Sequence, residues 1–355
     1  MTQKTVLVAM SGGIDSTVAA RLLLLQGYSV GGLFISFFNE IWAHPQVIEQ
    51  QKKSHMHVQK ICSELNIPFF HKDMSEYFYS EIVSYFVSEY ADGRTPFPCA
   101  VCNPKVKWQT LFDTAQELGY SHIATGHYTE IVLKNDIHYI KKGKDYDKDQ
   151  SFFLWSLPQH ILKKTIFPLS NITKEETYAI AKSYAITSAQ KKESTGVCFL
   201  HNGDYRAFVT HELHKKGIHI PEGTYLDVSG NVISKNKGYI HYTIGQRKKL
   251  GINLNKRMFV HSIIPEKNEI ILSDYSLLYK SSFIVKNYYF QRIEDTKKNL
   301  IVKIRYREQA TECTITIKSE SILTVHLCTP LESIAPGQTA VFYDGNCVVG
   351  GGFIQ

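Results

Sequence analysis

Apolar and polar positions in the first 130 residues alternate between two periods. Short, nearly unbroken apolar runs stand at 6–10, 30–36, 68–72 and 121–125. Runs of this length, rich in aliphatic and β-branched residues, predict strands buried on both faces. Between them apolar residues recur at helical spacing: Val18, Ala19, Leu22 and Leu23 before Gly27, then Trp108, Leu111, Phe112, Ala115 and Leu118 before Gly119. The two glycines supply C-terminal stops. Such alternation implies an α/β fold, a doubly wound parallel sheet with helices on both faces and ligands at the carboxyl ends of its strands.

Helical patterning continues to about residue 215, and Thr173 with Glu176 forms a capping box ahead of Tyr178-Ala179-Ile180-Ala181. From Gly223 the texture changes to short β-prone runs divided by turns such as Ser229-Gly230-Asn231 and Asp344-Gly345-Asn346. About six such runs over 283–355 predict a small closed or nearly closed barrel. The expected domains are therefore an α/β catalytic domain at 1–204, a mostly β linking module at 205–282 and a C-terminal β-barrel at 283–355.

The turn between the first strand and the first helix reads Ser11-Gly12-Gly13-Ile14-Asp15-Ser16. A strand–turn–helix junction aims backbone N–H groups and a positive helix end at one spot, which suits an anion. Two glycines alone would fit a tight turn and nothing more. Ser11 and Ser16 add donors for phosphate oxygens, and Asp15 adds a carboxylate suited to Mg2+. No Walker A sequence occurs, and no Gly-x-Gly-x-x-Gly follows a strand. The six residues resemble the SGGxDS loop of the N-type ATP pyrophosphatases, which adenylate a carbonyl oxygen and release pyrophosphate.

Composition narrows the setting. With 355 residues, 43% of them hydrophobic, the chain can bury the cores of two or three domains. It has no run of eighteen apolar residues and no N-terminal secretion signal, so a cytoplasmic enzyme without a membrane partner is expected. Seven cysteines, an odd number, argue for free or working thiols rather than a disulfide framework. The formal charge of +7 is spread over clusters such as Lys141-Lys142-Gly143-Lys144, Lys191-Lys192, Arg247-Lys248-Lys249 and Lys303 to Arg307. Tyr239, Tyr242 and Tyr306 lie beside several of them. A solvated surface and a nucleic-acid interface both fit that pattern.

The cysteines carry the next signal. In RTPFPCAVCNPKVKW, residues 94–108, Pro96 and Pro98 stiffen a loop, Asn103 reads as a helix N-cap and Pro104 as the first helical residue. Cys102 is thus expected just before a helix N-terminus, where the dipole favours thiolate. Cys99 and Cys102 also have the spacing of a zinc site, an iron–sulfur site, a redox dithiol or a structural pair, although no second Cys-x-x-Cys exists to complete a zinc site. In KKESTGVCFL, residues 191–200, Cys198 alone would read as a small buried hydrophobe. Beside the phosphate loop and Cys102 it becomes a candidate nucleophile.

Seven segments in order, MSGGIDS, CN at 102–103, ATGHY at 124–128, KDQSFFL at 148–154, STGVCF at 194–199, YTIGQRKKLGI at 242–252 and PGQTAVFY at 336–343, resemble the tRNA-specific 2-thiouridylases. The resemblance spans nearly the whole chain and implies an adenine-nucleotide α-hydrolase-like fold for the N-terminal domain. It implies ATP binding by Ala9, Met10, Ser11, Gly12, Gly13, Ile14, Asp15 and Ser16 with Ile35 and Gly126, and a magnesium ion at Asp15. Cys198 would carry sulfur as a persulfide delivered by a sulfur-donor protein such as a cysteine desulfurase or a relay. Cys102 would be the second thiol, releasing sulfide or forming a disulfide with Cys198. Phe97, Pro98 and Cys99 occupy the segment that touches the target base. His127, Lys148, Asp149, Gln150, Arg305, Tyr306 and Gln338 would face tRNA, by resemblance the wobble-uridine tRNAs for Lys, Glu and Gln.

Two positions depart from the family pattern. Phe97 stands where many members have Asn, and Cys99 where some have Asp, a possible proton acceptor. A small-molecule adenylating ligase would share the first motif but leave the two separated cysteines and the β-rich C-terminal third unexplained. A non-catalytic RNA-binding protein would leave the phosphate loop idle.

Overall fold

The structure, a computed structural model, describes residues 4–184, 186, 196–254, 256–307 and 310–355. The Lys191-Lys192 cluster and Ser194-Thr195 of the second cysteine segment lie outside them. The chain forms two units. One takes in residues 1–82, 99–203 and 346–349; the other takes in 83–98, 204–345 and 350–355.

In the first unit the apolar runs become strands β1 (Thr5–Ala9), β2 (Ser29–Ser36), β3 (Phe69–Asp73) and β4 (His122–Ala124). A hairpin, β5 (Thr129–Lys134) and β6 (Ile137–Lys142), precedes the short β7 (Thr165–Ile166). The central sheet has the order β3-β2-β1-β4-β7, parallel throughout, with Val6 opposite both Val30 and His122. From β1 the chain moves outward to β2 and β3, then returns to lay β4 on the other side of β1. The order therefore reverses between β1 and β4, and in open α/β sheets ligands bind at such a reversal, outside the carboxyl ends of the strands.

Helices α1 (Ile14–Leu25) and α2 (Pro45–Glu64) are fixed by burial. Ala20 and Leu23 of α1 join Val6, Val8, Val30 and Phe34 of the sheet and Val58, Ile61 and Cys62 of α2 in one core cluster. Val18 and Ala19 turn instead toward Tyr128, Leu169 and Ala181 in a second cluster. Because α1 is buried on two sides, Leu23→Ala would cost about 2–5 kcal/mol, and the loop that α1 carries has a rigid base.

The second unit is mostly β. β8 (Gly223–Leu226), β9 (Val232–Asn236), β10 (Phe259–Ile264) and β11 (Glu269–Ser273) form a four-stranded sheet in the order β10-β11-β8-β9. β12 (Tyr279–Phe290), β13 (Leu300–Lys303), β14 (Thr311–Ile317), β15 (Ile322–Glu332), β16 (Thr339–Asp344) and β17 (Cys347–Ile354) follow. Their order β12-β15-β14-β13-β16-β17 closes on itself when β17 pairs with β12, Val285 opposite Ile354 and Phe290 opposite Gly350. This is the barrel expected from the six β-prone runs.

Candidate active site

The phosphate loop sits at the sheet's reversal point. Gly12 has φ +77, a left-handed conformation that favours glycine. The loop is braced from within, since Ser16 Oγ donates to the Gly13 carbonyl at 3.0 Å and Gly13 N donates to Ser11 Oγ at 3.4 Å. α1 begins at Gly13 with no side-chain cap, which leaves its first-turn donors to an external acceptor. Gly126, just beyond β4, closes the cradle. A Cβ there would lie 2.7 Å from the Asp15 carbonyl carbon and the Ser16 nitrogen, so only glycine lets the end of β4 approach the first turn of α1 this closely. Ala9 and Met10 lead from β1 into the loop, and Ile35 lies buried on neighbouring β2. These residues fit the phosphates of a nucleotide.

Asp15 is engaged differently from expectation. Lys174 Nζ lies 2.7 Å from both its carboxylate oxygens, and the buried Tyr128 hydroxyl donates to Oδ1 at 2.7 Å. Lys174 begins the helix Lys174–Ser183, held by the predicted Thr173–Glu176 capping box and by an N–H bond to Asp145 Oδ2 at 2.9 Å. No group of three His, Cys, Asp or Glu able to hold a metal exists among the described residues. A magnesium ion at Asp15 would have to displace the ammonium or share the carboxylate with it. Asp15 does not fit as a resident metal ligand in this arrangement.

The thiol helix corrects the reading of Asn103 and Pro104. Helix begins at Pro98, not Pro104, and runs Pro98–Cys102 as α-helix, Asn103–Trp108 as π-helix and Gln109–Glu117 as α-helix. Pro98, not Pro104, takes the first helical position, where a missing N–H is harmless. Pro104 then falls inside the helix, cannot donate to the carbonyl four residues back, and is accommodated by the wider π register. Asn103 is a buried interior residue whose amide donates to the Phe153 carbonyl at 2.8 Å. Cys102 is likewise interior and 5% exposed. The helix-dipole argument for its thiolate falls, and Cys99 is the thiol nearer the positive end.

Cys198 lies in a short turn anchored by its neighbour. Phe199 is buried and packs edge-on to Phe78 at 5.9 Å and to Trp42 at 6.4 Å between centroids. Cys198 itself keeps an open surface, although protein crowds around it. That crowding raises its thiol to about 11, against an opposing pull from Lys107. Burial pushes Cys102 up to about 12, again opposed by Lys107, with Cys198 and Cys99 adding to the rise. Cys99 is raised by the same desolvation and lowered by the same lysine. Three thiols from two separate segments thus come close enough to act on one another. His127, half-buried beside Trp108 at 5.0 Å between centroids, is 2.8 Å from Thr125 Oγ1 through Nδ1. Desolvation and then Lys107 push it down to about 3, so it is neutral at physiological pH.

Of the residues expected to face RNA, Asp149 departs most. Its carboxylate is buried and accepts from Ser151 N at 3.2 Å and Ser151 Oγ at 2.8 Å, at the start of the turn Ser151–Leu154. Gln150 Oε1 accepts from Tyr128 N at 3.1 Å, tying KDQ to ATGHY, and Lys148 is half-buried. In the second unit Gln338 Nε2 donates to the carbonyls of Thr95 at 2.9 Å and Pro96 at 3.3 Å. It holds the backbone just before the half-buried Phe97 and buried Pro98. Arg305 donates to the Ser333 carbonyl at 2.7 Å, and Lys303 to that of Tyr306 at 2.9 Å.

Sequence reasoning missed Lys107, Lys174 and Tyr128. A signal existed for Lys174: a lysine in the first turn of a helix opposes the macrodipole and needs an anion nearby. Lys107 had none, because helical periodicity points it away from Cys102 and only the π turn brings it back.

Three family models match the chain in succession. They are described as the tRNA methyl transferase HUP domain over residues 4–202, the tRNA methyl transferase PRC-barrel domain over 206–274 and the aminomethyltransferase beta-barrel domain over 280–354. The tRNA-specific 2-thiouridylase MnmA 2 of Phocaeicola vulgatus is 43% identical over 352 residues, covering 98% of this chain and 97% of its own. MnmA 1 of Caldanaerobacter subterraneus is 39% identical, with 99% and 97% covered, and MnmA of Acetivibrio thermocellus is 36% identical over the full length of both chains. Identity of this order along the whole sequence shows that the chain belongs to the tRNA-specific 2-thiouridylase family.

Proposed function

We propose that this protein is a tRNA-uridine 2-sulfurtransferase that consumes ATP. The observation that carries the reading is the gathering of Cys99, Cys102 and Cys198 in the unit whose sheet reversal holds the phosphate loop. The 2-carbonyl oxygen of a wobble uridine attacks the α-phosphorus of ATP, pyrophosphate leaves, and the oxygen becomes part of an AMP leaving group. The outer sulfur of a Cys198 persulfide then attacks C2 and expels AMP. Cys102 thiolate attacks the Cys198 sulfur, the S–S bond to the base breaks, and its electrons stay with the new 2-thiouridine. A Cys102–Cys198 disulfide remains, which an external thiol must reduce before a sulfur-donor protein reloads Cys198. Cys102 could equally release sulfide from the persulfide first; both routes leave the same disulfide.

Residues 9–16 with Ile35 and Gly126 bind ATP in this reading. Magnesium enters with the nucleotide's phosphates and not as a resident of Asp15. Phe97 and Pro98 offer the base a packing surface, while Lys148, Gln150, Arg305 and Tyr306 support the RNA, and His127 and Gln338 position their neighbours. The substrates are wobble-uridine tRNAs, and the enzyme works in the cytoplasm. The test is incubation of the purified chain with ATP, unmodified tRNA and a persulfide donor, followed by nucleoside mass spectrometry. AMP, pyrophosphate and 2-thiouridine in equal amounts are expected. ADP with orthophosphate, or ATP consumption indifferent to tRNA, would overturn the reading.

A further inference from the structure

Lys107 stands out among the basic residues of the first unit. It is half-buried, and among the described residues no carboxylate pairs with it, whereas Lys105, two positions earlier, bonds Glu81 at 3.0 Å. A cation removed from water without a counter-ion is costly unless an anion arrives. Its place is set by the π turn. In a continuous α-helix, five residues advance about 500°, which would leave Lys107 about 140° away from Cys102. Across the π turn Asn103–Trp108, with its i→i+5 pattern, residues five apart stack, and Lys107 comes round to the Cys102 face.

We propose that Lys107 is the shared counter-ion of the sulfur anions, a positioning cation that favours the Cys102 thiolate and the outer sulfur anion of a Cys198 persulfide. The groups acting on it are the three thiols, and it acts in turn on His127, which is neutral. Desolvation pulls Lys107 down, but Cys102, Cys99 and Cys198 raise it by more, so it stays charged. Among the described residues Lys107 is the one cation that pulls on all three thiols. It offsets part of the burial that raises them. The persulfide part rests on the sulfurtransferase reading; the thiolate part does not.

The test measures iodoacetamide alkylation of Cys198 and Cys102 against pH, by peptide mass mapping of the reduced full chain without ATP or tRNA. Lys107→Met is expected to move both profiles up by about one pH unit, which is about tenfold slower alkylation at fixed pH. Lys107→Arg should return the rate to within about threefold, and Lys105→Met should leave it unchanged. Profiles unchanged in Lys107→Met, with wild-type circular dichroism, would overturn the inference. If Lys107→Met does not fold, Lys107→Gln and Lys107→Arg carry the comparison: equal profiles in those two overturn it and separated profiles support it. Because no thiouridine is measured, failure of the sulfurtransferase reading would show separately, as normal alkylation shifts in a chain that modifies no tRNA.

Discussion

Lys174 Nζ is equidistant, at 2.7 Å, from the two carboxylate oxygens of Asp15. The lysine is 10% exposed at its side chain and the aspartate 31%. The pairing explains a placement of Lys174 that is unfavourable by itself. Lys174 puts positive charge at the positive end of its own helix, and Asp15, in the first turn of α1, supplies the negative partner. The pair holds an ammonium at the mouth of the phosphate loop, where it can offset phosphate charge without the lysine of a Walker loop.

The first prediction follows from that pairing. Asp15→Asn and Lys174→Met should each lower pyrophosphate release by about 100-fold, and the double variant should be little worse than either, since contacting residues are non-additive. The concentration of magnesium giving half-maximal rate should be the same in Asp15→Asn and wild type. A large rise in that concentration would make Asp15 a metal ligand after all.

The second concerns the π turn. Pro104→Ala restores an N–H and removes a residue that disfavours helix by about 3 kcal/mol, so the helix can relax to α register. Thermal stability should be unchanged or raised, while sulfur transfer falls at least tenfold as Lys107 swings from the Cys102 face. Loss of stability together with activity would show that the π geometry is enforced by surrounding packing.

Much of this was legible in the sequence. Alternating apolar runs gave the parallel sheet, Ser11 to Ser16 marked its ligand end, and Thr173 with Glu176 marked a helix start that the structure reproduces. The thiol helix was misread for a definite reason. Two prolines, 98 and 104, each satisfy the rule for a first helical residue, and local rules do not choose between them. Only the Asn103 bond to Phe153, a contact across 50 positions, shows that 103 is interior. Lys107 escaped because periodicity arguments assume 3.6 residues per turn. Gln338 stands in the PGQTAVFY motif, but its grip on Thr95 and Pro96 spans more than 240 positions and has no local sign.

The third prediction is pH dependence. His127 has its pKa pushed down to about 3 in the folded chain by desolvation and Lys107, against about 6.5 when unfolded. Below 6.5 the unfolded chain takes up a proton that the folded one refuses, so stability falls as pH drops from 6.5 toward 3. Urea unfolding at pH 7 and pH 4.5 should show a smaller acid loss in His127→Asn than in wild type. Equal losses would place the acid sensitivity elsewhere.

The fourth concerns division of labour among the thiols. Cys102→Ser and Cys198→Ser should each abolish 2-thiouridine formation at matched ATP turnover, while Cys99→Ser retains a substantial part. Peptide mapping after reaction without reductant should find Cys102 joined to Cys198. A Cys99–Cys102 disulfide alone would make that pair the working dithiol.

The last prediction belongs to the second unit. Gln338 binds the carbonyls of Thr95 and Pro96, Thr95 N donates to the Pro336 carbonyl at 2.7 Å, and Thr95 Oγ1 donates to Thr243 Oγ1 at 3.2 Å. Two separated segments, 336–338 and Thr243, thus fix the backbone that presents Phe97. A ring held there can stack on a base without reading its edge, a contact worth about 1–3 kcal/mol. Gln338→Ala removes two hydrogen bonds, each contributing about 0.5–1.5 kcal/mol, and frees the segment while keeping the ring. Phe97→Ala keeps the segment and removes the ring. Both should weaken tRNA binding about five- to 150-fold with no change in ATP affinity or in the salt dependence of binding, since neither removes a phosphate contact. Filter binding across a salt series separates the outcomes. If Gln338→Ala flattens the salt slope, the glutamine touches the RNA backbone directly; if Phe97→Ala alone weakens binding, the segment is held without it.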